Sequence, residues 1–469
     1  LTFYYYDTTG KVEKKPAEEG LSEFPEHPRG CDFLGWFTKP YGGVEVTEEN
    51  YKELGVTAVY AHWVQNREDH DDPQGWDDVI YDIKKAHVYD GYLMDGDRIA
   101  GTVQVKTAAG KADRKTGEVN VNVTASVLLL GEGKKVPLKG VAVDVDEDGG
   151  SADLVCTRRS DEREMSVSFT PNGLEGDFDG YEIVGARNMF GEKTDWDKRT
   201  SRAAIDDWGG SYAVVLESEG DSPLANGVVV LTVKVAAKGK CKVSGTMPDG
   251  TKVSVSSQLQ ILHADAEGGG TACELPVVVP LYSGKKGGFG FCIEFSPETE
   301  MGIELVGLTE WLANPGKKDE FTATLMPLGT GVGMVGPLAS SSVFVADTGF
   351  LEIPDVLVDD SLLPGLGNGV EVTPSGKKWI LPKADKVKFD RETGTYEVTT
   401  DYGNPSGLKL TFTASSGTFK GSFKVYAVTE TGKSKTYTAQ VSGAVVDGVG
   451  YGTAVIKKVC SMPVVIQPE

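Results

Sequence analysis

The chain has 469 residues, too many for one ordinary core, so several domains are expected. It carries 69 acidic against 47 basic side chains, a formal charge of −22, which repels duplex nucleic acid and anionic membranes and leaves a cation or a neutral glycan as the easier partner. No apolar run reaches the roughly eighteen residues of a membrane-spanning helix, and its 59 glycines recur at intervals that suit turns between short strands rather than a collagen period.

The chain opens on an expected strand at Leu1–Tyr6 without a signal-peptide pattern, as an excised piece of a longer protein would. Residues 1–63 then hold Gly30-Cys31-Asp32-Phe33-Leu34-Gly35-Trp36-Phe37-Thr38, the pair Gly42-Gly43, and a closing Val59-Tyr60-Ala61-His62-Trp63. Phe33, Trp36, Tyr60 and Trp63 are bulky enough to supply most of a sixty-residue core. This segment resembles the Listeria–Bacteroides repeat, the B-repeat of internalin-type surface proteins. The resemblance implies a small β-grasp fold in a secreted or cell-surface protein of bacterial type. The usual Asn-Gly-Gly turn is replaced here by Asp7-Thr8-Thr9-Gly10. Val64–Asp78 is polar and acidic with Pro and Gly, and reads as a linker or an irregular approach strand.

From Ile80 onward the pattern is antiparallel β. Its clearest statement is Gly227–Ser257, where Val229, Leu231, Val233 and Val235 alternate with Val228, Val230, Thr232 and Lys234. A period of two marks a sheet with one dry and one wet face. Gly239 and Pro248-Asp249-Gly250 supply the turns. An aromatic-bearing strand, Tyr212–Leu216, precedes this stretch, and the same aromatic strand followed by a Thr-Val-x-Val strand occurs at Tyr89–Lys106, with echoes at Gly407–Val425. Asp195–Trp208 is the one helix expected, with Asp195 as its cap and Trp196, Ala203, Ala204 and Trp208 near one side. The expected fold class is therefore all-β: a β-grasp module at 1–65, then tandem antiparallel barrel or sandwich repeats at 66–205 (ending in the linking helix), 206–318 and 319–469. These later repeats look similar to bacterial extracytoplasmic β-repeat proteins with no assigned activity.

Candidate chemistry is sparse. Asp144, Asp146 and Asp148 lie in a D-x-D-x-D-G run that matches the first half of a calcium loop, so calcium is the one cofactor the sequence raises. Position twelve is Val155 rather than Glu, and the flanks read as strands, so a solvated hairpin turn accounts for the same residues. Asp90, Asp95 and Asp97 form a second, weaker acidic loop. Among so many acids, Asp177, Asp179 and Glu182 beside Tyr181, and Asp195 and Asp197 beside Trp196, are nominees for paired glycosidase carboxylates, against a plain surface role. The five histidines lack metalloprotease spacing, and there is no G-x-S-x-G. Six scattered cysteines leave two readings open: one disulfide among Cys241, Cys273 and Cys292, or buried free thiols.

Trp76, Trp196, Trp208, Trp311 and Trp379 lie near repeat junctions, where they serve either as sugar-stacking platforms or as plugs of the barrel ends. The functional expectation is a secreted or cell-surface binding or adhesion protein for a glycan or another surface protein. A polysaccharide-active enzyme and a structural spacer are the rivals.

Overall fold

The computed structural model describes residues 1–5, 12–16, 20–21, 31–39, 44–65, 86–108, 111–112, 119–143, 150–157, 162–170, 173–191, 195–264, 271–297 and 302–468. The protein is all-β, and its one described α-helix is Asp195–Trp208. Among the described residues no helix is long and apolar enough to cross a membrane.

The leading module is a five-stranded sheet. Its first strand Thr2–Tyr4 runs parallel to its last, Ala58–Gln65, which in turn pairs with Cys31–Phe37. Phe3, Tyr5, Trp36, Val46 and Val59 form the core. Tyr60 is also buried, but it faces away from that cluster and stacks on Tyr4 with ring centroids 5.0 Å apart. Arg202 of the helix lies over both tyrosine rings and donates to Tyr60 Oη at 3.0 Å, so the closing strand seats the module on the helix. His62 stacks on Phe37, a structural role. The side chain of Trp63 is outside the described residues.

Eight strands from Val88–Asp95 to Tyr181–Arg187 then close into a barrel. Alternation points Leu93, Val103, Val105, Val123, Leu154 and Phe178 inward, so the interior is filled by side chains. The barrel's last strand is tied to the helix by Arg187 and Asp197, a buried pair at 2.6 Å. Ala204, Ile205 and Trp208 pack into the core of the following body, so the helix belongs to that body as much as to the barrel it follows.

The second body is a curled ten-stranded sheet. Its core holds Val229, Leu231, Val233, Val243, Val277, Phe289, Phe291 and Trp311. It runs past the expected edge at 318. Strand Phe321–Met334 pairs with Gly210–Glu219, which begins more than a hundred residues earlier, and the third body starts only at Ser342–Ala346. That third body is a nine-stranded sheet centred on Thr418–Thr429, Ser434–Val446 and Val449–Ile456.

The expected wet face of Gly227–Val235 is only half wet. Val228 and Val230 are buried with Ala213 and Val215 against Ala444 and Val446 of the third body. Burying such a valine completely is worth about 1.5–3 kcal/mol. Beside this patch the Thr453 hydroxyl accepts from Val228 N at 2.7 Å and donates to Val228 O at 2.6 Å. Ser461 adds bonds to Pro223 O and Asn226 O. The first barrel meets the second body through Ile99, Tyr92, Val278 and Cys292, with Tyr92 Oη donating to Glu274 Oε2 at 2.8 Å.

Two predictions follow from these joints. Thr453→Val leaves both polar atoms of Val228 buried and unpaired, so urea unfolding should show a loss of about 1–3 kcal/mol that Thr453→Ser largely spares. An unchanged midpoint for Thr453→Val contradicts the joint. Burial, opposed by the Tyr92 hydrogen bond and aided by Glu294, raises the Glu274 carboxyl above its ordinary 4.5. A raised acid favours the folded state fully below its unfolded pKa, and that contribution is lost as pH rises through the folded one. Glu274→Gln removes this loss, so its Tm relative to wild type should climb as pH is raised from 4.5. A pH-independent difference contradicts the assignment.

Candidate binding cleft

The joint between the second and third bodies opens into a cleft of about 320 Å³. The second body supplies Thr232 from strand Gly227–Val235, and Ser244 and Thr246 from Lys240–Thr246. The third supplies Ser416, Thr418 and Ser442, with Phe419 among the lining residues. The strand period explains why these hydroxyls converge. Thr232 stands directly opposite Ser244, and both lie on the outer face, one row beyond the buried Val230. Ser442 stands opposite Thr453, so the cleft begins where the joint ends.

Two glycines shape its walls. A Cβ on Gly245 would meet Val230 O at 2.3 Å, and one on Gly443 would meet Tyr451 O at 2.1 Å. Side chains are excluded there, and the strands approach closely. Thr232 Oγ1 lies 2.9 Å from Ser244 O, to which it donates, and 3.0 Å from Ser244 Oγ. Ser416 and Thr418 hydroxyls are 2.7 Å apart.

The cleft thus presents hydroxyls that both donate and accept, and the lining residues carry no carboxylate, imidazole or thiol. Such a surface matches the hydrogen-bonding chemistry of a neutral polar ligand, and none of the lining side chains is one that takes up or releases a proton near neutrality. Phe419 is 3% exposed, so its ring offers no open face for stacking.

The residues singled out from sequence fall elsewhere. Trp311 is fully buried, edge-on to Phe321, and donates to Tyr282 Oη at 3.0 Å. Tyr282 passes the chain on to Asp249 at 2.7 Å. Trp208 donates to Thr271 O at 2.6 Å and packs on Phe295. Trp379 stacks on Phe412 with centroids 4.8 Å apart. These three rings serve packing. Trp76 and the Trp196 side chain lie outside the described residues.

Asp144, Asp146 and Asp148 also lie outside them, between strands Val136–Val143 and Gly150–Cys156, which pair antiparallel. Asp90 accepts from Gln104 and Asn188, and Asp95 and Asp97 flank the turn glycine Gly96. Asp177 and Glu182 face each other across an exposed hairpin, and Asp179 pairs with Arg163. Asp197 is spent on Arg187, and the Asp195 side chain is not among those described.

Cys241, Cys273 and Cys292 are free thiols, which settles the disulfide question within that body. Burial pushes the Cys241 thiol up to about 12 and raises those of Cys273 and Cys292, so none is a thiolate near neutrality.

A second hollow, about 650 Å³, lies within the third body. Its Asp385 carboxylate accepts from Tyr402 N, Asn404 N and Thr400 Oγ1, which commits it to tying the loop. The cleft between the bodies differs in gathering hydroxyls from two separate sheets. It escaped the sequence reading because its two walls lie some two hundred residues apart in the chain. Compared with known protein families the sequence matches none, and no curated protein matches it.

Proposed function

We propose that this chain is a secreted or cell-surface binding protein that holds a carbohydrate in the cleft between its second and third β bodies. The observation that carries this reading is the ring of six hydroxyls on two rigid sheets, with no titratable side chain among the lining residues. Sugar hydroxyls both donate and accept, and a wall of Ser and Thr matches them without the desolvation cost of a buried charge. The cleft is at the small end of the roughly 300–1,000 Å³ range of ligand sites, which suits a short stretch of a chain. The sheets on both sides are laddered strands, so little ordering is needed on binding.

A glycan array on the full chain, followed by titration calorimetry on each hit, tests the reading. Ser244→Leu fills the cleft from one wall and Ser442→Leu from the other. Each should weaken binding at least tenfold while leaving the melting temperature within a few degrees, since both positions are only half-buried. An empty array, or hits that both variants retain at full affinity, overturns the proposal. Release of reducing ends from a bound glycan would instead favour the enzymatic rival.

A further inference from the structure

We infer that the cleft continues into a cationic subsite and that its ligand is an acidic polysaccharide, a chain of sugars bearing carboxylate or sulfate groups. This rests on the proposed carbohydrate reading and narrows it to a class.

The inference comes from strand register. Thr232 and Ser244, which line the cleft, form one cross-strand pair; the next pair on the same face, two residues along, is Lys234 opposite Lys242. Two residues of strand advance about 7 Å. Lys240 follows on that face, opposite Gln258, and Ser256 stands opposite Lys242. Lys234, Lys240, Lys242, Ser256 and Gln258 line a hollow of about 430 Å³. Hydroxyl cleft and lysine hollow therefore share the outer face of the same strands.

Like charges placed directly opposite in a sheet destabilise it. Here the pair stands in a protein with 22 more acids than bases, where acidic neighbours are plentiful. Yet among the described residues no carboxylate pairs with Lys234, Lys240 or Lys242. On the opposite wall Lys420 stands across from the cleft residue Ser442. A concentration of unpaired ammonium groups beside a neutral polar cleft fits a ligand that is itself mixed, sugar hydroxyls over Thr232 and Ser244 and an anionic substituent over the lysines. The overall negative field repels a uniformly dense polyanion such as nucleic acid most, and penalises anions spaced along an uncharged backbone least.

The test uses the full chain and matched polymers. A sparsely de-esterified polygalacturonate is compared with its fully methyl-esterified form, and a lightly sulfated dextran with dextran, by calorimetry or biolayer interferometry. At least one charged member should bind tenfold or more tightly than its neutral twin, and which one it is assigns carboxylate or sulfate. That preference should fall steeply between 50 and 300 mM NaCl, as roughly 10 Å screening lengths shrink. The double variant K234Q/K242Q, on an exposed face where folding is little affected, should abolish the preference and leave affinity for the neutral twin within twofold.

If the neutral and charged twins bind equally, and Ser244→Leu removes both, the cationic subsite is wrong and the cleft stands. If the charged polymer binds through the lysines but Ser244→Leu leaves it untouched, the cleft reading is wrong and the shared-site inference falls with it. If none of the polymers binds, both are overturned.

Discussion

The arrangement turns on one face of one strand. Gly227–Val235 sends Val229, Leu231, Val233 and Val235 into its own core, as a two-residue period demands. Its outer side changes character along its length: Val228 and Val230 dock on the third body, Thr232 opens into the cleft, and Lys234 reaches the cationic hollow. The docked end fixes the distance between the two sheets, and the polar end inherits that spacing. Thr453 makes the docking specific, because its one hydroxyl takes both the N–H and the carbonyl of Val228, as a neighbouring strand would.

The chemistry of the cleft follows from what a sheet surface is able to offer. Outer-face serines and threonines are ordinary on an exposed antiparallel sheet, and alone they say nothing of function. They gain meaning by being faced, across the gap, by Ser416, Thr418 and Ser442 of another sheet. Two walls of hydroxyls enclose a space with polar partners on both sides, which is what the proposed ligand would use. Acids near the barrel junction behave differently. Glu274 is buried among Tyr92, Cys292 and Glu294, and its carboxyl is held above its usual range by that burial, so it links barrel and second body rather than facing a ligand.

Much of the architecture was legible. Tyr89 and Tyr212 open two similar stretches, and each lies in the core of its own body, the barrel and the curled sheet, on the first strand of a hairpin. The helix Asp195–Trp208 has the expected bounds, since its Ala203-Ala204 step is small enough to lie against a sheet. The boundary at 318 was not legible. Phe321–Met334 looks locally like the start of a new repeat, and only long-range pairing with Gly210–Glu219 assigns it to the old one. Trp311 misled for a related reason. Its strand, Trp311–Ala313, is three residues long, too short to show alternation, so a core residue reads as a loop residue. The run Gly227-Val-Val-Val-Leu231 did carry a signal, four consecutive apolar residues where alternation allows two or three. It marks a strand buried on both faces at one end, without naming what covers the second.

Hydrogen–deuterium exchange across the two walls, with and without a bound polysaccharide, tests the central claim most directly, because each wall reports separately. Simultaneous slowing at the 230–246 and 416–443 segments, with the first barrel unchanged, is the expected result. Slowing confined to one body, or to neither, would contradict a ligand held between them.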